Sequence, residues 1–366
     1  MSSFLPGLEL SRLFYQEAVK PLLSREFPPL AYSAALLGDG SEVLGFDTEM
    51  SSDHDWGPRL LLFLTEEDSP HCAEAINHAL AQHLPREFRG YSTHFSPPDP
   101  NDNGTQILQV AGSGLINHRV EIHTLSSFVQ AHLGFNIHTP LEPADWLTFP
   151  EQKLRTLTAG AVYHDGIGLE EMRSRFAYYP HDVWLYLMAC GWNRIGQEEH
   201  LMGRAGIVGD ELGSGLIGSR LVRDIMRLCF LMERQYAPYP KWFGTAFRQL
   251  ECGEALLPSL LAAQQAQTWQ ARESALVEAY AYLAEKHNRL AITEPLPTQA
   301  DTFFGRPFRV IHLGGGFSDA LLQKIEDPEV KRIAEKRHIG SLDQFSDNTD
   351  LLSDPCWRET LKHLYF

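Results

Sequence analysis

The sequence predicts an α+β protein in which an N-terminal domain with a mixed sheet and helices is followed by a helical bundle domain and a mixed C-terminal tail. Before residue 150, short apolar runs typical of strands alternate with stretches whose apolar residues recur at helical spacing. From about residue 168 the helical pattern dominates, and beyond about residue 307 the pattern becomes mixed again. We therefore expect domains at 1–150 and 151–300, with a tail at 301–366 that packs on the others.

The N-terminal elements are predicted from periodicity and from the turn residues at their ends. The stretch "LSRLFYQEAVKPLLSREF" has helical spacing and ends before Pro28 and Pro29. A second helix, "SPHCAEAINHALAQHL", opens at Ser69 and Pro70, and a third, "SSFVQAHLG", closes at Gly134. Three strands are predicted among them: "LAYSAALL", the apolar "RLLLFL", which indicates burial on both faces, and the alternating "HRVEIHTL".

The later part of the chain contains three long helical stretches, which predict a bundle. They are "HDVWLYLMACGWNRIGQEEHL", "GSRLVRDIMRLCFLMERQY" and "AQTWQARESALVEAYAYLAEKH". The segment "EPLPTQADTFFGRP" is typical of a linker or surface loop, and the mixed tail follows it.

Composition limits the classes of partner. The 366-residue chain has a formal charge of −16 with neutral histidines, so its surface repels phosphate backbones, and DNA or RNA is not an expected partner. No apolar run approaches the ~20 residues of a membrane helix, so no membrane partner is expected. The five cysteines are scattered without a C-x-x-C pair, which favours a reduced, cytoplasmic protein without a structural zinc site.

An acidic stretch, "DTEMSSDHDW", stands shortly before the apolar run "RLLLFL". Residues i and i+2 of a strand project to the same face, so Asp53 and Asp55 on a strand would lie side by side and repel each other. A divalent cation between them would relieve that repulsion, and Mg²⁺ prefers carboxylate oxygens together with substrate phosphates. The alternative is an acidic surface turn that caps a strand.

Two further features complete a candidate site. Gly40 and Ser41 form a turn after the first predicted strand and lead into a short helical segment, where backbone N–H groups and a hydroxyl suit phosphate oxygens. Glu121, flanked by apolar residues on a predicted strand, is the candidate third acid. A glutamate on the solvent face of that strand, beside Arg119 and His123, would give the same pattern.

This constellation resembles the nucleotidyltransferase superfamily typified by DNA polymerase beta and the kanamycin nucleotidyltransferases. The shared pattern is a Gly-Ser turn, a spacer, D-x-D on a strand, and a later acid between apolar residues. His54 departs from it, because the middle residue of the D-x-D is usually apolar. The string "GSEVLGFDTEMSSDHDWGPRLLLFL" also looks like a bacterial family of uncharacterised nucleotidyltransferase-like proteins. The resemblance implies a fold and a metal site but no substrate.

Carried over to this chain, the resemblance implies that Asp53, Asp55 and Glu121 hold Mg²⁺ or Mn²⁺ on a nucleoside triphosphate. ATP is the default donor by its abundance alone. Pyrophosphate would leave, and a nucleoside monophosphate would pass to a hydroxyl of an unknown small-molecule or protein acceptor. Ser41 and nearby N–H groups would hold the phosphates, and Glu121 would accept the proton of the acceptor.

Basic residues of the helical part are candidates for the same ligand. Arg220 and Arg223 share one stripe of the helix "SRLVRDIMRLCFLMER" with Asp224. They are predicted to meet the triphosphate or an acidic acceptor, and the alternative is a solvated face with an Arg220–Asp224 pair. Lys241, within "PYPKWFG", is predicted to reach a phosphate, or alternatively to lie over an aromatic ring at the surface.

Two competing functions remain open at this point. The first is a nucleotide sensor that keeps the fold and binds ATP without transfer. The second is a metal-dependent phosphohydrolase that uses His164–Asp165 and His181–Asp182, although further histidines at helical spacing are missing. The alternative for His181–Asp182 is the first turn of a helix after Pro180, where the helix dipole favours an acid.

Overall fold

A computed structural model describes residues 4–102, 104–312, 315–336 and 338–366. The contacts within the chain divide it into two units. The first unit comprises Met1–Pro140 and Lys153–Ala177, and the second comprises Leu141–Gln152 and Tyr178–Phe366.

A four-stranded mixed sheet organises the first unit. Its strands are β1 (Tyr32–Leu36), β2 (Arg59–Leu64), β3 (Arg119–Thr124) and β4 (Ala161–Asp165), in the spatial order β3–β2–β1–β4. Strands β2 and β3 run parallel, whereas β1 is antiparallel to both β2 and β4. The mixed sheet and the three strands predicted from the sequence are therefore confirmed.

The apolar character of β1 and β2 matches their interior position in the sheet. Every residue of both strands is buried, because each strand has a neighbour on either side and side chains packed on both faces. Strand β3 lies at the edge and alternates, with Val120 buried and Glu121 about half exposed. One face of β3 is consequently open for a site.

The helices before residue 177 begin and end largely where turn residues predict. Helix α4 begins after Thr124, whose hydroxyl accepts the Ser127 N–H at 3.1 Å, and it ends at Gly134 in the left-handed region (φ 64°). The helices are α1 (Gly7–Phe14), a π-helical turn (Tyr15–Val19), α2 (Lys20–Glu26), α3 (Ser69–His83), α4 (Leu125–Leu133), α5 (Pro143–Thr148), α6 (Glu151–Thr158) and α7 (Leu169–Ser174). Helix α5 belongs to the second unit, and α6 contains residues of both units.

Short elements complete the first unit. They are the 3-10 helix Glu49–Asp53 and two small hairpins that pair Glu87–Phe88 with Tyr91–Ser92 and His94–Phe95 with Leu108–Gln109. The core of this unit lies between α1–α3 and one face of the sheet, and it includes Phe14, Trp56 and Leu62.

The second unit is built mainly from helices, as predicted for this part of the chain. The three long predicted stretches correspond to α8 (His181–Ile207), α9 (Glu211–Met232) and α12 (Trp269–Arg289). The others are α10 (Pro240–Phe247), α11 (Gly253–Gln265), α13 (Gly316–Leu322), α14 (Pro328–Lys336), α15 (Leu342–Phe345), α16 (Thr349–Ser353) and α17 (Arg358–Lys362). The paired strands Asp301–Thr302 and Arg309–Val310 and the 3-10 turns Phe303–Gly305 and Pro355–Trp357 complete the unit.

The two units differ from the predicted domains in two places. Strand β4 lies beyond residue 150 but pairs with β1, so the first unit takes in a later segment. The tail 301–366 belongs to the second unit, where the Ile311 N–H donates to the buried Glu199 at 2.7 Å and the Gln344 amide donates to the Leu187 carbonyl at 3.0 Å. These contacts join residues that are far apart in sequence, which local periodicity does not register.

Within the described ranges, we find no helix with the length and apolar character needed to cross a membrane.

Candidate functional site

A cavity of about 270 Å³ lies beside the sheet of the first unit. The end of β1, the turn after it, strands β2 and β3, and helices α4 and α6 contribute to its wall. The lining residues are Leu36, Leu37, Gly38, Asp39, Arg59, Leu60, Leu61, Arg119, Glu121, His123, Phe128, Ala131, His132 and Lys153. Charged groups of both signs stand beside apolar ones, so the cavity is suited to a polar ligand.

Strand β3 supplies three polar residues to this cavity. Residues two apart on a strand face the same side, so Arg119, Glu121 and His123 share a face, while Val120 is buried on the other. In the parallel register, Arg119 lies next to Arg59 of β2. The edge strand thus places cationic and anionic groups side by side.

Glu121 is held in its ionised form. The His123 Nε2 lies 3.6 Å from Glu121 Oε2, and the Arg119 Nη2 lies 3.4 Å from Glu121 Oε1. The interaction with His123, together with the charges of Arg119 and Arg59, lowers the pKa of Glu121 to about 2 against the opposing effect of burial. Its carboxylate is therefore an anion at neutral pH and a weak base.

Arg119 connects Glu121 with Asp55. Its Nη1 forms an ion pair with Asp55 Oδ1, while its Nη2 faces Glu121. Asp55 has a left-handed backbone (φ 49°), and Gln106 fixes it through two hydrogen bonds: the Asp55 N–H donates to the Gln106 carbonyl at 2.8 Å, and the Gln106 N–H donates to Asp55 Oδ1 at 3.2 Å. Two of the three predicted acids, from separate segments, converge on one guanidinium.

The prediction that Asp53 and Asp55 lie on a strand is wrong, because β2 begins only at Arg59. Asp53 is the last residue of a 3-10 helix, and its carboxylate lies 2.8 Å from Nδ1 of His54. The intervening Trp56–Pro58 contains a buried indole and a proline without an N–H to pair, so the strand does not extend back to the acids.

Asp55 and Glu121 have the donor chemistry of a magnesium site. Their side chains are 40% and 46% exposed, and they share one positive group, the Arg119 guanidinium, as they would share a bound cation. Among the residues that the structure describes, no three His, Cys, Asp or Glu side chains are grouped as a metal centre would require. Metal ligation by Asp53, Asp55 and Glu121 stays a prediction.

The turn at Gly40 holds Arg59 in the cavity wall. The Arg59 Nε donates to Glu42 Oε1 at 2.7 Å, and its Nη2 donates to the Asp39 carbonyl. A Cβ on Gly40 would lie 2.4 Å from Arg59 Nη2, and the φ of +143° also disfavours a side chain there. The backbone conformation therefore favours glycine at this position, and any side chain would also require the Arg59 guanidinium to shift.

Ser41 opens a series of hydrogen-bonded turns in place of the predicted short helical segment. Its carbonyl accepts the Phe46 N–H at 2.9 Å. The cavity wall takes Asp39 from this region, one residue before the predicted pair. Phosphate binding by Gly40 and Ser41 stays a prediction.

Sequence reasoning missed much of the cavity wall, including Arg59. Lys153 Nζ lies 3.4 Å from the Asp39 carboxylate. His132 is buried with its Nε2 2.9 Å from the Lys153 carbonyl, and burial lowers the pKa of His132 to about 4, so the ring is neutral at pH 7. The one local signal was an arginine at the head of the apolar run "RLLLFL", where a buried charge requires partners.

The basic residues predicted on the helices lie in the second unit. The Arg220 Nε donates to Glu198 Oε2 of α8 at 2.8 Å, so its partner is Glu198 rather than the Asp224 of the alternative interpretation. The Lys241 Nζ lies 5.0 Å from the centre of the Trp242 ring, which agrees with the alternative of a lysine over an aromatic ring. Nucleotide binding stays a prediction for Arg220, Arg223 and Lys241.

The two His-Asp pairs lie in different units, and both acids bind backbone N–H groups. The Asp165 carboxylate accepts the N–H groups of residues 168–170 at 2.8 to 3.0 Å, at the start of α7. Asp182 accepts those of residues 326 and 327 at 2.6 and 2.5 Å, and α8 begins at His181 as the alternative predicted. These contacts account for both acids structurally and give no support to a phosphohydrolase.

Comparisons with known proteins add limited information. Residues 146–243 match the family described as a domain of unknown function (DUF4037), a match that includes α8 and α9 but not β1, β2 or β3. The comparison with curated proteins returned no significant match. The crystal structure of a nucleotidyltransferase-like protein from Exiguobacterium sibiricum 255-15 aligns with a TM-score of 0.31 and 9% identity over 74% of each chain. Similarity this low supports no functional assignment.

Proposed function

We propose that this protein is a nucleotidyltransferase, which passes a nucleoside monophosphate from a nucleoside triphosphate to a hydroxyl of a small-molecule or protein acceptor. ATP is the proposed donor. The observation that carries the proposal is the convergence of Asp55 and Glu121 on the Arg119 guanidinium at the cavity of the first unit. Nucleotidyl transfer needs acids that converge in this way next to a place for phosphates.

The cations of the cavity suit the phosphates. Arg59, Arg119 and Lys153 line it, although the chain as a whole is strongly acidic. Guanidinium and ammonium groups donate charge-assisted hydrogen bonds to phosphate oxygens, and arginine can donate two in parallel. A volume of about 270 Å³ lies just below the usual range for small-ligand sites, which suits a triphosphate better than a complete nucleotide.

Asp55 and Glu121 are the residues that would hold Mg²⁺ or Mn²⁺, with Asp53 as the predicted third ligand. Such a cation supplies charge stabilisation at the attacking and leaving oxygens of an in-line displacement at phosphorus. With its pKa near 2, Glu121 is a permanent anion, so we assign it to holding charge and not to accepting the proton of the acceptor.

A second candidate function is nucleotide binding without transfer. It is favoured by the same ion pairs, because Arg119 already neutralises both acids without any added cation. In that case Arg59, Arg119 and Lys153 would bind the phosphates, and Asp55 and Glu121 would serve only to orient Arg119.

The test uses ATP labelled at the α-phosphate, Mg²⁺ or Mn²⁺, and cell extract as the source of acceptor. We expect label to move to an acceptor with the unmodified protein and with Glu170→Gln, a control at an exposed acid that pairs with Arg173. Glu121→Gln should abolish the transfer.

Equilibrium binding of ATP, measured on the same samples, distinguishes the two candidates. ATP binding without transfer under every condition would support the second candidate. The absence of both binding and transfer would overturn the two together.

A further inference from the structure

The second unit has a separate cavity of about 350 Å³, formed by α8, α9 and the segment 338–347. Three arginines from two helices face it, together with polar residues that include Gln197 and Ser346. The charged side chains that line it are Arg194, Arg220, Arg223, Asp224 and Asp347. A concentration of arginine around a cavity is unexpected in a chain with a charge of −16.

Glu198 orients two of these arginines from one side. Its Oε1 accepts a hydrogen bond from Arg194 Nη2 at 2.9 Å, and its Oε2 accepts one from Arg220 Nε at 2.8 Å. The Arg220 side chain is about half exposed, and it contacts Glu198 through Nε. A single buried carboxylate therefore fixes two guanidiniums while leaving donors for another acceptor.

Arg223 is the most weakly partnered of the three. Its Nη2 lies 3.5 Å from the Asp343 carbonyl, its Nη1 lies 3.7 Å from Asp224 Oδ1, and the exposed Asp347 carboxylate is 4.0 Å away. Burial and the neighbouring Arg227 lower the pKa of Arg223, the direction expected for a guanidinium without a close counterion. Its donors thus have only distant carboxylate partners, and Arg223 lines the cavity.

Asp224 also lines the cavity and is almost completely buried, with its side chain 6% exposed. Its Oδ2 has no hydrogen-bond donor among the described residues, and its nearest cation there is Arg194 Nε at 3.5 Å. Burial raises the pKa of Asp224 to about 6, so this acid neutralises the arginines less well than an exposed aspartate would. We assign it the role of a positioning residue that keeps Arg194 and Arg223 directed at the cavity.

We propose that this cavity binds a small phosphomonoester, such as a sugar phosphate, through Arg194, Arg220 and Arg223. Three guanidiniums that approach from two helices match an anion with several oxygens and two charges, whereas a single guanidinium already satisfies a carboxylate. Gln197 and Ser346 supply polar groups for the hydroxyls of the ester. The proposal concerns the second unit alone and does not depend on nucleotidyl transfer by the first.

The test is titration calorimetry at low ionic strength with inorganic phosphate, glucose 6-phosphate, acetate and ATP as the probes. We expect glucose 6-phosphate and phosphate to bind, with the ester tighter, and acetate to bind at least about tenfold more weakly than phosphate. Arg223→Met should weaken binding of the ester by at least about tenfold, and Arg220→Met by less. Arg289→Met, at an exposed arginine 4.0 Å from Glu285, is the matched control and should change nothing.

Several outcomes would overturn the proposal. They are failure of both phosphate probes to bind at millimolar concentration, equal binding of acetate, and full binding by a folded Arg223→Met variant. Binding of ATP that depends on Arg223, without binding of glucose 6-phosphate, would also overturn it and would assign these arginines to a nucleotide. Arg223→Lys retains the positive charge but loses the paired donors of the guanidinium, so it should bind the ester with intermediate affinity. This variant separates a charge effect from a folding defect.

Discussion

Carboxylates meet arginines in both cavities, but the two units treat these groups differently. In the first unit, Glu121 lies beside His123 and Arg119 and is about half exposed, and its pKa falls to about 2. In the second unit, Asp224 is buried, its Oδ2 receives no hydrogen bond from the described residues, and its pKa rises to about 6. The first arrangement offers a permanent anion to a cation, whereas the second leaves arginines available to an anion. Carboxylates and arginines occur together in both cavities, but the two arrangements favour ligands of opposite charge.

The largest expected effect concerns the carboxylates at the cavity of the first unit. Asp55→Asn and Glu121→Gln should each lower nucleotidyl transfer by at least about 100-fold, because each removes a carboxylate that would hold the cation needed to stabilise negative charge on the oxygens of the reacting phosphate. The loss is measured by following the transfer of nucleotide labelled at the α-phosphate. Asp53→Asn is the matched comparison and should cost less, since that carboxylate is 62% exposed and faces His54. Equal losses of transfer in all three variants would instead support the prediction that all three acids hold the metal.

Glu199 of the second unit should give the stability of the protein a component that falls as pH rises. Burial, which outweighs the N–H donors of Ile311 and His312, raises the pKa of Glu199 to about 7. A carboxyl whose folded pKa exceeds its unfolded value stabilises fully below the unfolded pKa, and this stability is lost as pH rises through the folded pKa. We expect Glu199 to contribute a loss of about 2–3 kcal/mol in the free energy of unfolding between pH 5 and 8.

Calorimetric melts of the unmodified protein and of Glu199→Gln over that pH range measure this effect. The free energy of unfolding of the unmodified protein minus that of the variant should fall by this amount over the range, because the variant lacks the Glu199 carboxyl. Glu121 gives no slope in this range, since it stays ionised. A profile that is the same in both proteins would contradict the assignment to Glu199.

Gly40→Ala should disrupt the support of the first cavity. The new Cβ would meet Arg59 Nη2 at 2.4 Å and strain a backbone at φ +143°, so we expect a loss of about 2 kcal/mol in the free energy of unfolding. Gly45→Ala is the matched control, because Gly45 also has a positive φ (+69°) but has nothing within 4 Å of the added atom. It should cost about 1 kcal/mol. If thermal melts gave the two variants equal losses in the free energy of unfolding, the Arg59 side chain would be able to shift without an energetic penalty.

The smallest expected effect concerns Arg119, the group that joins the two acids. Arg119→Met should lower stability by about 1–2 kcal/mol, less than for a fully buried pair because Asp55 and Glu121 are partly exposed. Added Mg²⁺ should raise the melting temperature of the variant more than that of the unmodified protein, because the two acids then lack a shared cation. Arg25→Met, at an exposed surface pair, is the control and should show little change. An identical response to Mg²⁺ in all three proteins would contradict a shared cation position.

Most of the secondary structure could be predicted because its signals are local. The burial of "RLLLFL", the helix opened by Ser69 and the left-handed glycine at 134 each depend on neighbours in sequence. A common site for Asp55 and Glu121 could also be predicted, since acids that flank predicted strands indicate a shared site. The strand position of Asp53 and Asp55 was wrong, because Trp56–Pro58 delays the start of β2.

The sequence by itself determined the mixed class, the order of strands and helices along the chain, and the acids worth testing, since periodicity and charge are readable within a few residues. Only the tertiary structure decided which groups neutralise those acids. Arg119 meets Asp55 because Gln106 holds the turn beside β3, and Lys153 meets Asp39 across more than a hundred residues. The physical reason is that an ion pair depends on the distance between two charges in space, and strand register and helix packing set that distance.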